Sequence, residues 1–286
     1  NMRIGLLHPG AMGASIGVSL LASGHEVGWV SEGRSHDSCN RAKQFKAFIA
    51  LDDMSVWADG IMSICPPDAA IAQAQAVYST AFDGFYVDAN AIAPNSAKKI
   101  AQMFGAGAYV DGGIIGPPAL GAGTTRLYLS GQHAARVADW FTQGFLQAIA
   151  LPASGHANAI VAASSLKMAY AAHSKGSSAL LLAVNALAAS NGVSEALKAE
   201  WDISQSGLNQ RSVVTAKVTS PKAWRFAGEM LEISETFKTQ GLSGAFHQGA
   251  ADIFSSMAEL KDQPGADLDQ VISKILGSRD SPDSER

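Results

Sequence analysis

The strongest constraint on the fold is a change of hydrophobic pattern near residue 155. Before it, short apolar runs alternate with stretches that have the composition of helices. The strand-like runs are residues 4–7, 27–30, 61–65, 85–88, 108–111 and 127–130. This alternation is typical of repeated βαβ units around a mostly parallel sheet. We therefore predict a doubly wound α/β domain over residues 1–155.

After residue 155 the strand-like runs disappear, and residues 157–191 form a stretch rich in Ala, Leu and Ser that contains no proline. This composition predicts one long helix, which at 1.5 Å per residue would span about 50 Å. Such a helix is longer than one compact domain needs, so we expect it to join two domains and to pack against a partner subunit. Asn191 and Gly192 predict its end.

Further helices are predicted for residues 194–202, 205–217, 223–240 and 245–260, with Pro221 and Gly241 between them. The fold class is therefore α/β, with an all-helical second domain over residues 156–286. We expect this domain to serve substrate binding and dimerisation. Its polar tail, residues 277–286, is predicted to be disordered.

The charge balance restricts the partners of the protein. A formal net charge of -4 offers no basic field for nucleic acid or an anionic membrane, so a small molecule is the expected ligand. Only 16% of the residues are charged, which indicates apolar surface covered in a homodimer. Cys39 and Cys65 form no metal-binding pattern, and no apolar stretch is long enough to cross a membrane. We expect a cytoplasmic protein without a metal site.

A glycine-containing turn follows the first predicted strand and precedes a helix. Its residues are His8, Pro9, Gly10, Ala11, Met12 and Gly13. Such a turn lets the backbone and the helix N-terminus approach a pyrophosphate, as in a Rossmann dinucleotide-binding domain. In the usual G-x-G-x-x-G pattern the first glycine would stand where this chain has His8. An ordinary tight turn is the alternative, but the strand, turn, helix and second strand together favour dinucleotide binding.

The end of the second predicted strand bears on the choice between NADP and NAD. Ser31, Arg34 and Ser35 suit the 2′-phosphate of NADP, whereas Glu32 suits the free 2′-hydroxyl of NAD. We expect NADP, with NAD as the alternative.

In these motifs and in several further segments, the chain resembles the β-hydroxyacid dehydrogenases. This superfamily contains the 6-phosphogluconate and 3-hydroxyisobutyrate dehydrogenases and the imine reductases. The matching segments are residues 9–13, 64–67, 87–90 with Pro94, 111–116 and 166–168. Residues 222–233, with Gly241, Leu242, Phe246 and His247, resemble a branch that has an uncharacterised C-terminal domain.

The resemblance implies roles for several residues. Lys167 would act as the general acid or base on the substrate oxygen. Cys65, Pro66, Pro67 and Asn90 would line the cofactor crevice, because they follow strand ends.

Substrate binding would fall to Ile115 and Gly116, and to Tyr170 and Ser174, which lie three and seven residues after Lys167. Two positions depart from the family's hydroxyacid enzymes. Ala171 replaces an asparagine, and the sequence from Ile115 to Pro117 replaces Ser-Gly-Gly.

Three functions remain open at this point. The first is an NADP-preferring oxidoreductase that acts on a polar hydroxy compound or its carbonyl counterpart. The second is an imine or ketimine reductase, against which the presence of Lys167 counts. The third is an NAD(P)-binding protein without turnover. The sequence assigns no role to five further polar residues, which are His173, Lys175, Glu229, Glu232 and His247.

Overall fold

The structure, a computed structural model, describes residues 1–277. Its internal contacts divide the chain into two compact units, Asn1–Met168 and Ala169–Arg286.

The first unit contains one eight-stranded sheet. Its strands are β1 Arg3–Leu7, β2 Glu26–Val30, β3 Lys46–Phe48, β4 Gly60–Ser63, β5 Phe85–Asp88, β6 Tyr109–Ile115, β7 Thr125–Ser130 and β8 Leu146–Ala150. They are ordered β3-β2-β1-β4-β5-β6-β7-β8. Every neighbouring pair is parallel except β6 and β7. The predicted doubly wound, mostly parallel sheet is confirmed.

Helices cover the sheet and complete its core. They are α1 Ala11–Ala22, α2 His36–Arg41, α3 Leu51–Trp57, α4 Ala70–Ser79, α5 Pro94–Phe104 and α6 Ala134–Ala138. Because side chains alternate along a strand, β1 serves two apolar clusters. Ile4 and Leu6 join one cluster with Ile16 of α1, whereas Leu7 joins the other with Met54 of α3. The sheet is therefore buried on both faces, as its apolar strands predict.

The second unit is helical throughout its described part, as predicted. Its helices are α7 Ala162–Ser190, which begins in the first unit, α8 Ser194–Ser204, α9 Leu208–Thr219, α10 Ala223–Thr239, α11 Ala245–Ser255 and α12 Leu268–Gly277. Helix α7 ends where expected, with Gly192 at φ +69 just beyond it. In the described part of the chain, no helix is long and apolar enough to cross a membrane.

Several elements differ from the prediction. Strands β3 and β8 and helix α12 were not predicted. The two strands lie at the edges of the sheet and are mostly exposed or half-buried, so they lack the apolar pattern of the central strands. The long helix starts at Ala162 rather than at residue 157, after a 3₁₀ turn over Ala159–Val161. Gly277 ends α12, and the rest of the predicted disordered tail lies outside the described residues.

Candidate functional site

The turn between β1 and α1 has the close backbone packing of a nucleotide-binding loop. The amide of Gly10 donates a hydrogen bond of 2.7 Å to the carbonyl of His8. A Cβ at Gly13 would lie 2.7 Å from that same carbonyl oxygen, so only glycine fits there. A Cβ at Gly10 would meet nothing within 4 Å, so the turn is open on that side.

The donors of this turn suit a diphosphate. No side chain caps α1 among the described residues, and no acidic residue lies in its first turn. The amides of the first helical turn lack intrahelical acceptors and carry the positive end of the helix dipole. The residues present therefore fit a dinucleotide pyrophosphate.

Two arginines reach this turn from α2 and the segment before it. Arg34 Nη1 donates to His8 Nδ1 over 3.0 Å, and Arg41 Nε donates to the carbonyl of Pro9 over 3.2 Å. Sequence reasoning found Arg34 but missed Arg41. Its approach depends on how α2 folds back on the turn, and no motif signals this.

The two serines predicted to bind ribose phosphate have structural partners. Ser31 Oγ donates to the carbonyl of Phe48 over 3.2 Å. Ser35 Oγ accepts from the amide of Ser38 over 3.2 Å and caps α2. The structure therefore brings Arg34 to the turn and engages both serine hydroxyls in backbone contacts.

His8 has an unusual backbone conformation and a neutral imidazole. Its φ of +59 lies in the left-handed region. Burial and then the positive charge of Arg34 lower the pKa of the imidazole. A hydrogen bond with Gln73 opposes this shift, since it raises the pKa of the imidazole. Because Nδ1 accepts from a guanidinium, the ring is neutral and carries its hydrogen on Nε2. Within the described chain, Arg34 Nε is buried and has no hydrogen-bond partner.

The loop after β4 is held by Asn90. Asn90 Oδ1 accepts from the amide of Cys65 over 2.7 Å, and its amide nitrogen donates to Ser63 Oγ over 3.0 Å and to Asp88 Oδ1 over 2.7 Å. The side-chain oxygen and nitrogen of Asn90 are therefore both engaged in hydrogen bonds within the protein. Burial raises the pKa of the Cys65 thiol to about 11. Pro66 and Pro67 follow, and Pro67 opens a 3₁₀ turn before α4.

A buried carboxylate anchors the start of α7. Asp111 Oδ2 accepts from the amide of Ser164 over 2.7 Å, and Oδ1 accepts from its hydroxyl over 2.5 Å. Ser130 Oγ donates to Asp111 over 3.1 Å and accepts from the amide of Ala163 over 3.0 Å. These contacts bind the first turn of α7 to β6 and β7, which explains why the helix starts at Ala162.

Lys167 follows this anchor by three residues and is half-buried. A Cβ on Gly113 of β6 would lie 2.5 Å from the carbonyl oxygen of Ala163 and 3.1 Å from Lys167 Cβ. Glycine at 113 therefore allows α7 to pack directly on β6 beside Lys167.

The predicted substrate loop after Asp111 is shorter than expected. Strand β6 continues to Ile115, whose side chain is buried, so the loop begins only at Gly116. Gly116 has φ +120, and a Cβ there would lie 2.2 Å from the carbonyl oxygen of Thr124. Pairing of β6 with β7 explains why the strand runs further than its sequence pattern indicated.

Helix α7 continues into the second unit with Tyr170, Ala171 and Ser174. Tyr170 is exposed, Ser174 is half-buried and Ala171 is buried. His173 is exposed and lines an apolar groove of about 350 Å³ together with Trp201 and Arg211. Tyr170 and Ser174 thus have the accessibility that a ligand contact requires.

Several polar residues of the second unit pair with one another. Lys175 forms an ion pair with Glu229, and its Nζ lies 4.4 Å from the centroid of the Phe226 ring. His247 is buried, and its Nε2 lies 3.1 Å from the carbonyl oxygen of Ala172. These contacts join α7 to α10 and α11, which indicates a structural role. In the described part of the chain, no group of three or more His, Cys, Asp or Glu residues could hold a metal ion.

Comparison of sequences with known families gives one partial match. Residues 188–257 match the family model of a domain of unknown function, DUF1932. No curated protein sequence matches the chain.

Solved structures match almost the whole chain. A conserved protein of unknown function, reported as similar to 3-hydroxyacid dehydrogenases, is 21% identical with a TM-score of 0.67, covering 91% of this chain and 98% of the other. The 3-hydroxyisobutyrate dehydrogenase of Mycobacterium tuberculosis is 16% identical with a TM-score of 0.67, covering 96% and 99%.

A more distant match is a reductive aminase from Aspergillus terreus, solved with NADPH and ethyl levulinate. It is 18% identical with a TM-score of 0.53, covering 96% of this chain and 99% of the other. The superfamily resemblance drawn from the sequence is therefore confirmed at the level of the fold. The chain has the fold of the 3-hydroxyisobutyrate dehydrogenases and carries a DUF1932 segment in its helical unit.

Proposed function

We propose that the protein is an NADP-preferring oxidoreductase that transfers a hydride between nicotinamide and a polar hydroxy compound or its carbonyl counterpart. The observation that carries this proposal is the turn at residues 8–13, where Gly13 packs against the His8 carbonyl and two arginines approach. Structural neighbours that include a dehydrogenase and an NADPH-bound reductive aminase support it at the level of fold.

The residues that would hold the cofactor divide by the group they bind. The amides of Ala11, Met12 and Gly13 would bind the pyrophosphate, and Pro9 and Gly10 would shape the turn that carries them. Arg34 and Arg41 would bind the 2′-phosphate. The loop Cys65, Pro66 and Pro67, held by Asn90, would border the crevice at the strand ends.

The chain itself would supply the proton. When bound, the nicotinamide gives or takes the hydride. Lys167 would donate a proton to the carbonyl oxygen during reduction and take it from the hydroxyl during oxidation. The proposed substrate contacts are the Gly116 amide, Ile115, Tyr170 and Ser174. Pro117 has no N–H to offer, so recognition there would differ from that in the hydroxyacid enzymes.

We also propose that the protein forms a homodimer through its helical unit. Exposed apolar side chains are numerous there, among them Leu180, Leu187, Val214, Val218 and Leu231. Unpartnered apolar surface of this kind is typical of subunit interfaces. Light scattering should give twice the monomer mass, and Leu187→Glu with Val218→Glu should shift it to that of the monomer.

A reducing cytoplasm is the proposed compartment. Cys39 and Cys65 are both free thiols. Free cysteines persist where disulfide formation is disfavoured.

Cofactor titration tests the central proposal. NADPH and NADH are titrated while nicotinamide fluorescence is followed, for the native protein, Arg34→Ala and the control Lys43→Ala, which removes an exposed cation close to α2. We expect NADPH to bind more tightly than NADH, and Arg34→Ala to lower only the NADPH affinity, by about 10- to 100-fold. Absence of binding by either nucleotide would contradict the proposal.

A substrate screen then separates the possible activities. Alcohols, carbonyl compounds and imines are offered to the native protein and to Lys167→Ala. Turnover of alcohols or carbonyl compounds that is lost in Lys167→Ala supports the proposed reaction. Turnover of imines alone would make the protein an imine reductase, and tight NADPH binding without any turnover would make it a nucleotide-binding protein.

A further inference from the structure

We infer that His8 is a specificity-determining residue, which holds the Arg34 guanidinium beside the turn so that adenine nucleotides with a 2′-phosphate bind preferentially. The inference rests on the proposed nicotinamide cofactor. It adds a function for the residue that departs from the glycine pattern.

The backbone at residue 8 gives the first reason. His8 has φ +59, a conformation that glycine adopts without cost and that is uncommon for other residues. Glycine is also the residue that the G-x-G-x-x-G pattern has at this position. The chain therefore carries an imidazole at a position where the backbone conformation and the motif both suit glycine.

The partner of the imidazole gives the second reason. His8 Nδ1 accepts from Arg34 Nη1 over 3.0 Å. In the described part of the chain, Arg34 forms no ion pair with a carboxylate. A neutral partner fixes the position of the guanidinium without neutralising its charge, so the full charge remains for an anion.

A second cation beside the turn has the same property. Arg41 contacts the Pro9 carbonyl and Ser38 Oγ, both of which are neutral, and it too has no carboxylate ion pair among the described residues. A phosphate monoester carries nearly two negative charges at neutral pH. Two unneutralised guanidinium groups match that charge, whereas a free 2′-hydroxyl offers no charge to them.

An unsatisfied nitrogen of Arg34 also supports the binding of a 2′-phosphate. Arg34 Nε is buried and has no hydrogen-bond partner in the described chain. Buried donors of this kind are rare unless a ligand or water completes them. A phosphate oxygen carries negative charge and is a stronger acceptor for this guanidinium nitrogen than a neutral hydroxyl.

The test measures binding rather than turnover. Calorimetric titrations use adenosine 2′,5′-bisphosphate and adenosine 5′-monophosphate as probes, beside NADPH and NADH. The variants are His8→Gly, which removes the imidazole and suits the backbone, and His8→Asn, which tolerates the left-handed region and keeps an acceptor for Arg34. Ala81→Gly is the matched control, since Ala81 has φ +56 and is exposed.

We expect His8→Gly to lower the affinity for adenosine 2′,5′-bisphosphate and NADPH by about tenfold or more, with 5′-monophosphate and NADH unchanged. His8→Asn should restore part of that loss, and Ala81→Gly should change no affinity. In an Arg34→Ala background, His8→Gly should have no further effect, because its partner is already absent. Thermal unfolding of each variant confirms that it is folded.

Two results would overturn the inference and leave the proposed function intact. The first is an unchanged 2′-phosphate affinity in His8→Gly while Arg34→Ala lowers it. The second is tighter binding of all four nucleotides in His8→Gly, which would mean that the imidazole obstructs the crevice. If the native protein binds none of the four, the proposed function and the inference both fail.

Discussion

Asp88 and Asp111 lie directly opposite each other on the neighbouring parallel strands β5 and β6, and both side chains are buried. Burial and then the charge of Asp111 raise the pKa of Asp88 to about 7. Burial also raises the pKa of Asp111 to about 6, against the opposing effect of its hydrogen bonds with Ser164. Asp88 Oδ2 has no partner in the described chain, so Asp88 is the member that keeps a proton near neutral pH.

This pair predicts a pH dependence of stability. The pKa of each carboxyl is raised above its value in the unfolded chain, so their contribution is fully present below about pH 4 and is lost as the pH rises through 6 to 7. Urea unfolding between pH 4 and pH 8 should therefore show a smaller decline in Asp88→Asn than in the native protein. The slopes of the two curves should differ by on the order of 1 kcal/mol per pH unit between about pH 4 and pH 7. Parallel curves for the two proteins would refute the assignment.

The anchor of α7 predicts a graded loss of stability. Asp111→Ala removes the acceptor of the Ser164 amide and hydroxyl and should lower the free energy of unfolding by about 2–3 kcal/mol. Ser164→Ala removes only the hydroxyl contact and should cost about half as much. Hydrogen exchange should accelerate at the amides of Ala163 and Ser164 in Asp111→Ala. Unchanged protection there would show that the carboxylate does not hold the helix.

The contact between β6 and α7 predicts that Gly113 tolerates no side chain. Gly113→Ala would place a Cβ 2.5 Å from the Ala163 carbonyl and should cost about 1–3 kcal/mol of stability. Gly107→Ala is the matched control, because a Cβ there meets nothing within 4 Å. Denaturant midpoints of the two variants compare them directly. Equal midpoints would show that the start of α7 can move away from β6 without a loss of stability.

The ion pair in the helical unit predicts an effect that depends on burial. Glu229→Gln leaves Lys175 without its counter-charge in a site where burial already lowers the pKa of this lysine. We expect a loss of about 2–3 kcal/mol, measured by urea unfolding. Glu195→Gln breaks the exposed pair with Lys198 and should cost less than about 1 kcal/mol. If Glu229→Gln lowers the free energy of unfolding no more than Glu195→Gln does, the buried pair has no stabilising role.

The sequence predicted the features that depend on local pattern. The central strands, the glycine turn and the end of α7 at Gly192 are all of this kind. The edge strands β3 and β8 escaped prediction because an edge strand has one neighbour and needs less apolar surface.

Features that depend on register or on chain reversal could not be predicted. The pairing of Asp88 with Asp111 requires the alignment of β5 and β6, and their separation of 23 residues does not specify it. The approach of Arg41 to Pro9 depends on the path of α2. Sequence reasoning could place His8 in the turn, but the contact with Arg34 and the positive φ needed the structure.

The partial burial of Cys65 also affects how the loop after β4 reacts with electrophiles. With a pKa of about 11, about one thiol in ten thousand is ionised at pH 7, and only the thiolate attacks peroxides or alkylating reagents. Maleimides and hydrogen peroxide should therefore modify this position very slowly. A segment proposed to border a redox cofactor is thus expected to react slowly with oxidants, even though it contains a sulfur atom.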